Sequence, residues 1–392
     1  MVLQPAAGAR DLNPGEVDAN RRIGDLLASV YRLWGYQEVA PPAFEHLETL
    51  EAGGAIAARE LVRLVAGEPL GLRPELTASI ARTAGTRLAD RPRPLRLWAC
   101  GSTFRSHLGE AGSLRIEERL QSGVELLGER SSAAEAELLH LLLAATSSLG
   151  LDSRHAPTLL VGHHGLLDAL LDQLAGEQRK AVREALTSFN PLDLTSLPLS
   201  DQQRSALREL SGLRGRPVAV LQRLEGWLGQ DPLLERLAAV LASVAPTAAR
   251  LGLRLQLDPS FQPHFDLYDG LVFKLVCRGS DAPVAIASGG RYDGLVARFC
   301  SDNAVAAGSG FAFDVEAIRE LLSQQRPAVE RGGPWLVAAA GPQQLAAQLQ
   351  KLADLHAAGE AAELWPTACA SQQQAEAIAS ERGCRGAIWL AG

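Results

Sequence analysis

Apolar and polar positions alternate most sharply in residues 95–128, LRLWACGSTFRSHLGEAGSLRIEERLQSGVELLG. Leu95, Leu97 and Ala99 fall at every second residue with Arg96 and Trp98 between them, the period of a strand half buried on a core. A Gly-, Ser- and His-rich run over 106–113 predicts a loop. The chain then returns to Gly128, with Val124 and Leu126 on one side and Gln121, Gly123 and Glu125 on the other. Such a hairpin aims Arg105, Arg115, Gln121 and Glu125 at one surface of a sheet. That surface is a polar floor of mixed charge, suited to a zwitterionic or otherwise polar small ligand. A solvated sheet face is the plainer alternative.

Elsewhere the period changes. Ile23, Leu26, Leu27, Val30 and Leu33 recur at three and four residues opposite Asp18, Arg21, Arg22 and Asp25, predicting a helix over 14–34 that Gly35 ends. A short strand at 36–40 stops at Pro41-Pro42, and a long helix followed by such a strand suits a dimer interface. Residues 61–72 predict a hairpin turning at Gly67-Glu68-Pro69. Leu72-Arg73-Pro74-Glu75-Leu76-Thr77 then enters a helix running to about Arg87, with Pro74 in its first turn and Glu75 favoured by the helix dipole. A helix over 131–148 and a strand over 158–161 follow. Residues 165–248 read as almost wholly helical, a helical insertion or cover. Strands resume at Leu253 and Leu255, at 268–276 and at 283–287.

Gly289-Gly290-Arg291-Tyr292-Asp293-Gly294-Leu295 comes next, its paired glycines permitting close backbone approach. The small residues of 306–313 lead into a helix from Asp314 to about Leu322, a place able to admit a phosphate. They form neither GxxxxGK[ST] nor a strand-linked GxGxxG. After a linker at 323–333, residues 334–392 alternate strand, helix, strand, helix, strand, a small α/β domain of about sixty residues.

Composition narrows the classes. With 47% hydrophobic and 21% charged residues, the 392-residue chain is ordinary for a globular protein of two or three domains. A net charge of -7 without a Lys/Arg run argues against broad nucleic-acid binding. Cys100, Cys277, Cys300, Cys369 and Cys384 form no CxxC pair, which predicts reduced thiols in a cytoplasmic protein and no structural zinc. His163-His164 lacks partners at ligand spacing, so no metal is expected. With no leader-like N-terminus and no apolar stretch of about eighteen residues, neither secretion nor a membrane span is expected.

Across residues 4–322 these motifs resemble the catalytic core of histidyl-tRNA synthetase, a class II aminoacyl-tRNA synthetase. The likeness is stronger still to its biosynthetic paralogues, the regulatory subunits of ATP phosphoribosyltransferase. Residues 4–14 look like the family's GxRDxxP stretch, 17–42 like the dimer-forming motif 1, and 72–77 like its LRPExT segment. Residues 95–105 with 114–128 look like motif 2, 289–295 carry the GGRYDGL signature, and 308–317 occupy motif 3. The resemblance implies an α+β fold: a class II synthetase-like antiparallel sheet flanked by helices in residues 1–322, with the helical insertion at about 165–248 and the α/β tail at 334–392.

It also implies a histidine site. Glu75 and Thr77 would hold the ammonium, with Gln121 and Glu125 beside them. Arg105 would receive the carboxylate, Tyr268 and Tyr292 would close on the imidazole, and Gly289, Gly290, Arg291, Gly308 and Gly310 would form the pocket backbone. Departures from the synthetase pattern matter as much. Pro263 stands where the family's arginine acts on the carboxylate and activated phosphate, the motif 3 arginine falls on Ala317, and the motif 2 glutamate falls on His107. The resemblance therefore implies a non-catalytic subunit with no cofactor, involved in histidine biosynthesis and feedback by histidine. Its expected partner is the short-form ATP phosphoribosyltransferase catalytic subunit, in a hetero-octamer built on a motif 1 self-dimer. The rival readings are a free-standing amino-acid-binding paralogue and an active ligase.

Overall fold

Two long strands, β4 (Leu95–Leu108) and β5 (Leu114–Leu127), pair antiparallel from Leu95 opposite Leu127 to Leu108 opposite Leu114. They anchor an eight-stranded sheet in a computed structural model that describes all residues except 1–4, 7, 53–55, 110–112, 173, 175, 188–192, 264–266, 301, 303, 304, 324–332 and 392. Across the sheet run β1 (Gln37–Glu38), β4, β5, β10 (Gly308–Asp314), β9 (Pro283–Arg291), β8 (Leu271–Arg278), β6 (Thr158–His163) and β7 (Arg254–Leu257). The β1–β4 and β6–β7 pairs are parallel and the others antiparallel. This sheet belongs to the first of two compact units, Met1–Gln324 and Gln325–Gly392.

One face of the sheet builds the main core with α1 (Pro14–Leu33), α4 (Ser132–Ser148), α10 (Pro232–Arg250) and α12 (Val315–Ser323). Helix α1 starts where sequence chemistry directs: Asn13 and Glu16 form a reciprocal capping box and Pro14 takes the first turn. Ile23 and Leu27 of its predicted stripe are buried in the main core together with Tyr31, which packs on Trp98 and Phe311, while Leu26 and Leu33 of that stripe are exposed. The opposite face is also covered at this end. Leu97, Ala99 and Leu127 pack with Leu76, Ile80 and Tyr292 around α3 (Thr77–Gly85). The alternation in β4 therefore does not separate core from water, as the sequence suggested; it separates two cores. Its strands also run further into the predicted 106–113 loop, whose residues 110–112 lie outside the described set.

Three local expectations need correction. Helix α3 begins at Thr77, so Pro74 precedes the helix rather than entering its first turn. The 61–72 hairpin is short, one bridge from Arg63 to Gly71 flanked by Leu64 N to Leu70 O and Leu72 N to Val62 O hydrogen bonds, and β3 (Leu70–Leu72) pairs as a strand with β2 (Phe44–His46). Residues 308–314, which the sequence presents only as a small-residue approach to the helix that follows, form a central strand, β10, and α12 starts directly after it. The insertion comprises α5 (His164–Leu171), α6 (Gly176–Thr187), α7 (Asp193–Ser196), α8 (Asp201–Gly212), α9 (Pro217–Leu228) and α10. By length and composition α10 passes as a membrane span, against the sequence reading. Its Leu234, Leu237, Val240, Leu241 and Val244 are nevertheless buried in the main core.

In the second unit β11 (Trp335–Ala339) lies between β12 (Ala362–Leu364) and β13 (Gly386–Leu390), all parallel, connected by α13 (Leu345–Ala357) and α14 (Gln372–Glu381).

Candidate functional site

Register decides which side chains share the face opposite the main core. Directly paired residues stand on the same face, so Leu97, Glu125, Gly310, Gly290, Val272 and Gly162 form one row across six strands. Ala99, Gly123, Ala312, Ser288, Lys274 and Leu160 form the next, and Gly101, Gln121 and Asp314 a third. The result is a low floor of glycine, alanine and serine from which Glu125 rises. Arg105 and Arg115 stand on this face too, opposite Glu117 and His107.

Glu125 is 3% exposed and accepts hydrogen bonds from the Tyr292 and Thr77 hydroxyls. Burial pushes its carboxyl up to about 8, against those two bonds and with a smaller push from the Glu75 charge. Glu75 sits at the N-terminus of α3, where its carboxylate accepts from the Thr77 and Ala78 amides, the latter at 3.1 Å. It too is raised by burial, opposed by those bonds and by Arg105. Arg105 is lowered by burial and its Nε reaches Pro74 O at 3.4 Å. Burial raises both the Tyr268 and Tyr292 phenols, and Glu125 is the next cause for each. Gln121 keeps a buried Oε1 with no hydrogen-bond partner among the described residues. Glu75, Thr77, Arg105, Glu125, Tyr268 and Tyr292 are thus within one another's electrostatic reach, and Gln121 shares their face.

The glycines divide. A Cβ on Gly310 would fall on the Glu125 carboxylate, and one on Gly290 would come 2.7 Å from the Tyr268 ring. Gly308 lies under the Tyr292 ring, 2.5 Å from a would-be Cβ. Gly289 and Arg291 point the other way. Arg291 donates to Glu135 at 2.8 Å, Asp293 at 3.3 Å and Ser131 O at 3.4 Å, tying β9 to the start of α4.

Sequence reasoning missed the charges at the far end of this face. Arg119 Nη1 donates to Asp314 at 2.7 Å while its other nitrogens bind Glu117, and Glu117 also meets His107 at 3.0 Å. Asp314 caps α12 through the Ala317 amide at 2.9 Å. The predicted anion site before this helix is therefore filled by a carboxylate of the chain itself. An open cavity of 520 Å³ beside this network is lined by Arg10, Glu117, Arg119, Glu316, Ala317 and Glu320. Pro263 lies in an irregular stretch, and its successors 264–266 lie outside the described residues. His163 is the N-cap of α5, its Nδ1 accepting from Gly165 N at 3.0 Å.

Tyr292→Phe leaves Glu125 with one hydroxyl donor in a buried place. The expected loss is about 1–3 kcal/mol of stability. Because the lost bond favours the ionised carboxylate, urea unfolding at pH 9 should show a larger loss than at pH 6.

An antiparallel sheet with paired carboxylates and tyrosines over a glycine floor defines a class II aminoacyl-tRNA synthetase-like protein. The histidyl-tRNA synthetase family model matches residues 8–318. The chain is 53% identical to the ATP phosphoribosyltransferase regulatory subunit of Synechococcus sp. (strain RCC307) and 50% identical to that of Prochlorococcus marinus (strain MIT 9313), each over 100% of both chains. The solved structure of an ATP phosphoribosyltransferase regulatory subunit/histidyl-tRNA synthetase from Bacillus halodurans C matches with a TM-score of 0.84 at 27% identity, covering 100% of this chain and 99% of that one. Histidyl-tRNA synthetase from Nostoc sp. PCC 7120 shares the fold, with a TM-score of 0.80 at 18% identity over 100% and 92% of the two chains. The chain belongs to the histidyl-tRNA synthetase family, among its ATP phosphoribosyltransferase regulatory subunits.

Proposed function

We propose that this chain is the non-catalytic regulatory subunit of a hetero-oligomeric ATP phosphoribosyltransferase, the first step of histidine biosynthesis, and that it binds histidine as the feedback signal. The observation that carries the reading is a site with amino-acid clamps but few free cations for phosphates. Glu75, Thr77, Gln121, Glu125, Tyr268 and Tyr292 offer partners for an ammonium and an imidazole. On the same face Arg119 is already neutralised by Glu117 and Asp314, and the residues at the two departed motif positions, Pro263 and Ala317, carry no charge. Adenylate formation needs donors on the transferring phosphoryl group, and loss of one costs about 3–4 kcal/mol.

The short-form catalytic subunit is the proposed partner, in a cytoplasmic hetero-octamer. A self-dimer through α1 and β1 is supported by the apolar Leu26 and Leu33 left exposed on α1, Leu33 at 87%. Mixing the chain with a short-form catalytic subunit should switch on phosphoribosyl transfer to ATP, and histidine should suppress it. Histidine-dependent ATP–pyrophosphate exchange by the chain alone would overturn the assignment. Histidine binding without activation of any catalytic subunit would favour the free-standing amino-acid-binding reading.

A further inference from the structure

We propose that Lys274 receives the carboxylate of the amino acid held against Glu125, an inference that rests on the histidine-binding reading above. Strand β8 alternates, sending Phe273 and Leu275 into the main core and Val272 and Lys274 onto the face of the site. Lys274 stands opposite Ser288 on β9, the strand that also carries Gly290. Adjacent strands are about 4.8 Å apart. A ligand lying beside Glu125 and the Tyr268 ring, which cover Gly310 and Gly290, therefore rests within about two strand spacings of Lys274, and Ala312 and Ser288 raise nothing tall between them.

Three other cations bordering the site have contacts of their own. Arg119 is shared by two carboxylates, and Arg105 places its Nε 3.4 Å from Pro74 O in the field of Glu75. Arg73, from the segment before α3, spends its guanidinium on the Ser102 and Pro41 carbonyls at 2.8 and 2.7 Å. Lys274 is half-buried and makes no ion pair with a described residue. Its ammonium lies 5.9 Å from the Phe261 ring centroid, on the stretch that crosses over Gly162. An ammonium with an aromatic face on one side and no ion-pair partner among the described residues is arranged for an incoming counterion. A lysine is also the more adaptable cation, a compact charge on a flexible stem.

Calorimetric titration of the full chain with L-histidine and with histamine, which lacks the carboxylate, tests this. In the native protein histidine should bind at least about tenfold more tightly than histamine. Lys274→Met should weaken histidine by about tenfold or more and leave histamine unchanged, erasing the discrimination, while Lys274→Arg should restore most of it. Equal weakening of both ligands would mean that Lys274 only packs under Phe261, and no weakening of either would equally overturn the proposal. If the native protein bound neither ligand, the histidine reading itself would fall, and this inference with it.

Discussion

Glu125→Gln is expected to weaken histidine binding about ten- to a hundredfold at pH 8.5 and far less at pH 6.5, while removing the Glu125 share of the pH dependence of stability. The carboxyl is raised from an ordinary 4.5 to about 8 because it is buried. A group raised in the folded state takes up a proton on folding throughout the interval between its unfolded and folded values. Its contribution is therefore fully present below pH 4.5 and is lost as pH rises through 8, at up to about 1.4 kcal/mol per pH unit. Glutamine resembles the protonated acid, so the free variant should lose this slope and match or exceed the wild type at pH 8.5. Ligand binding has the opposite sign. An ammonium or imidazole N–H of the ligand bonds better to the ionised carboxylate, so wild-type affinity should rise towards pH 8 and the Glu125 carboxyl should release a proton on binding; the variant should lose both effects. Urea unfolding and calorimetry in buffers of different ionisation enthalpy would read both. An unchanged stability slope together with unchanged affinity would mean that Glu125 does not face the ligand.

How far sequence alone reaches depends on whether a feature is local. The stripe of α1 and the insertion helices follow from periodicity and caps within a few residues of each element. The strand–helix alternation beyond residue 334 was read in the same way. Glu75, Thr77, Glu125, Tyr268 and Tyr292 were picked out together because motif positions carry a register that no period supplies. Where register alone decides, reading failed. Arg119 meets Asp314 across 195 residues, and a one-residue slip would send either to the opposite face. Lys274 carries no signal in the sequence, since nothing local says that β8 turns it towards Ser288. In β4 the same alternation fits a half-exposed strand or a strand between two cores, and only α3, packed on Leu97, distinguishes them.

Gly310→Ala should be the most damaging substitution in the site. The added methyl would land on the Glu125 carboxylate, 2.7 Å from its Cδ, and also on the Val124 carbonyl. The side chain can be expelled, but the carbonyl is fixed by the β5–β10 ladder, where Gly310 pairs with Glu125 and Phe311 with Val124. Overpacking alone costs about 1–3 kcal/mol. Expelling the carboxylate breaks its bonds to Tyr292 and Thr77 as well, at about 1 kcal/mol each, so a total loss of roughly 3–5 kcal/mol is expected, with histidine binding abolished. In a Glu125→Ala background the same change should cost only the carbonyl part, and the cycle isolates the coupling between the two positions. Ala312→Gly, one row along the same strand, should cost no more than about 1 kcal/mol and leave binding intact. Glycine inside a central strand is itself destabilising, so its presence at 310 marks where the fold gives up strand stability to seat a carboxylate. A Gly310→Ala protein within 1 kcal/mol of wild type that still bound histidine would show that Glu125 is seated elsewhere.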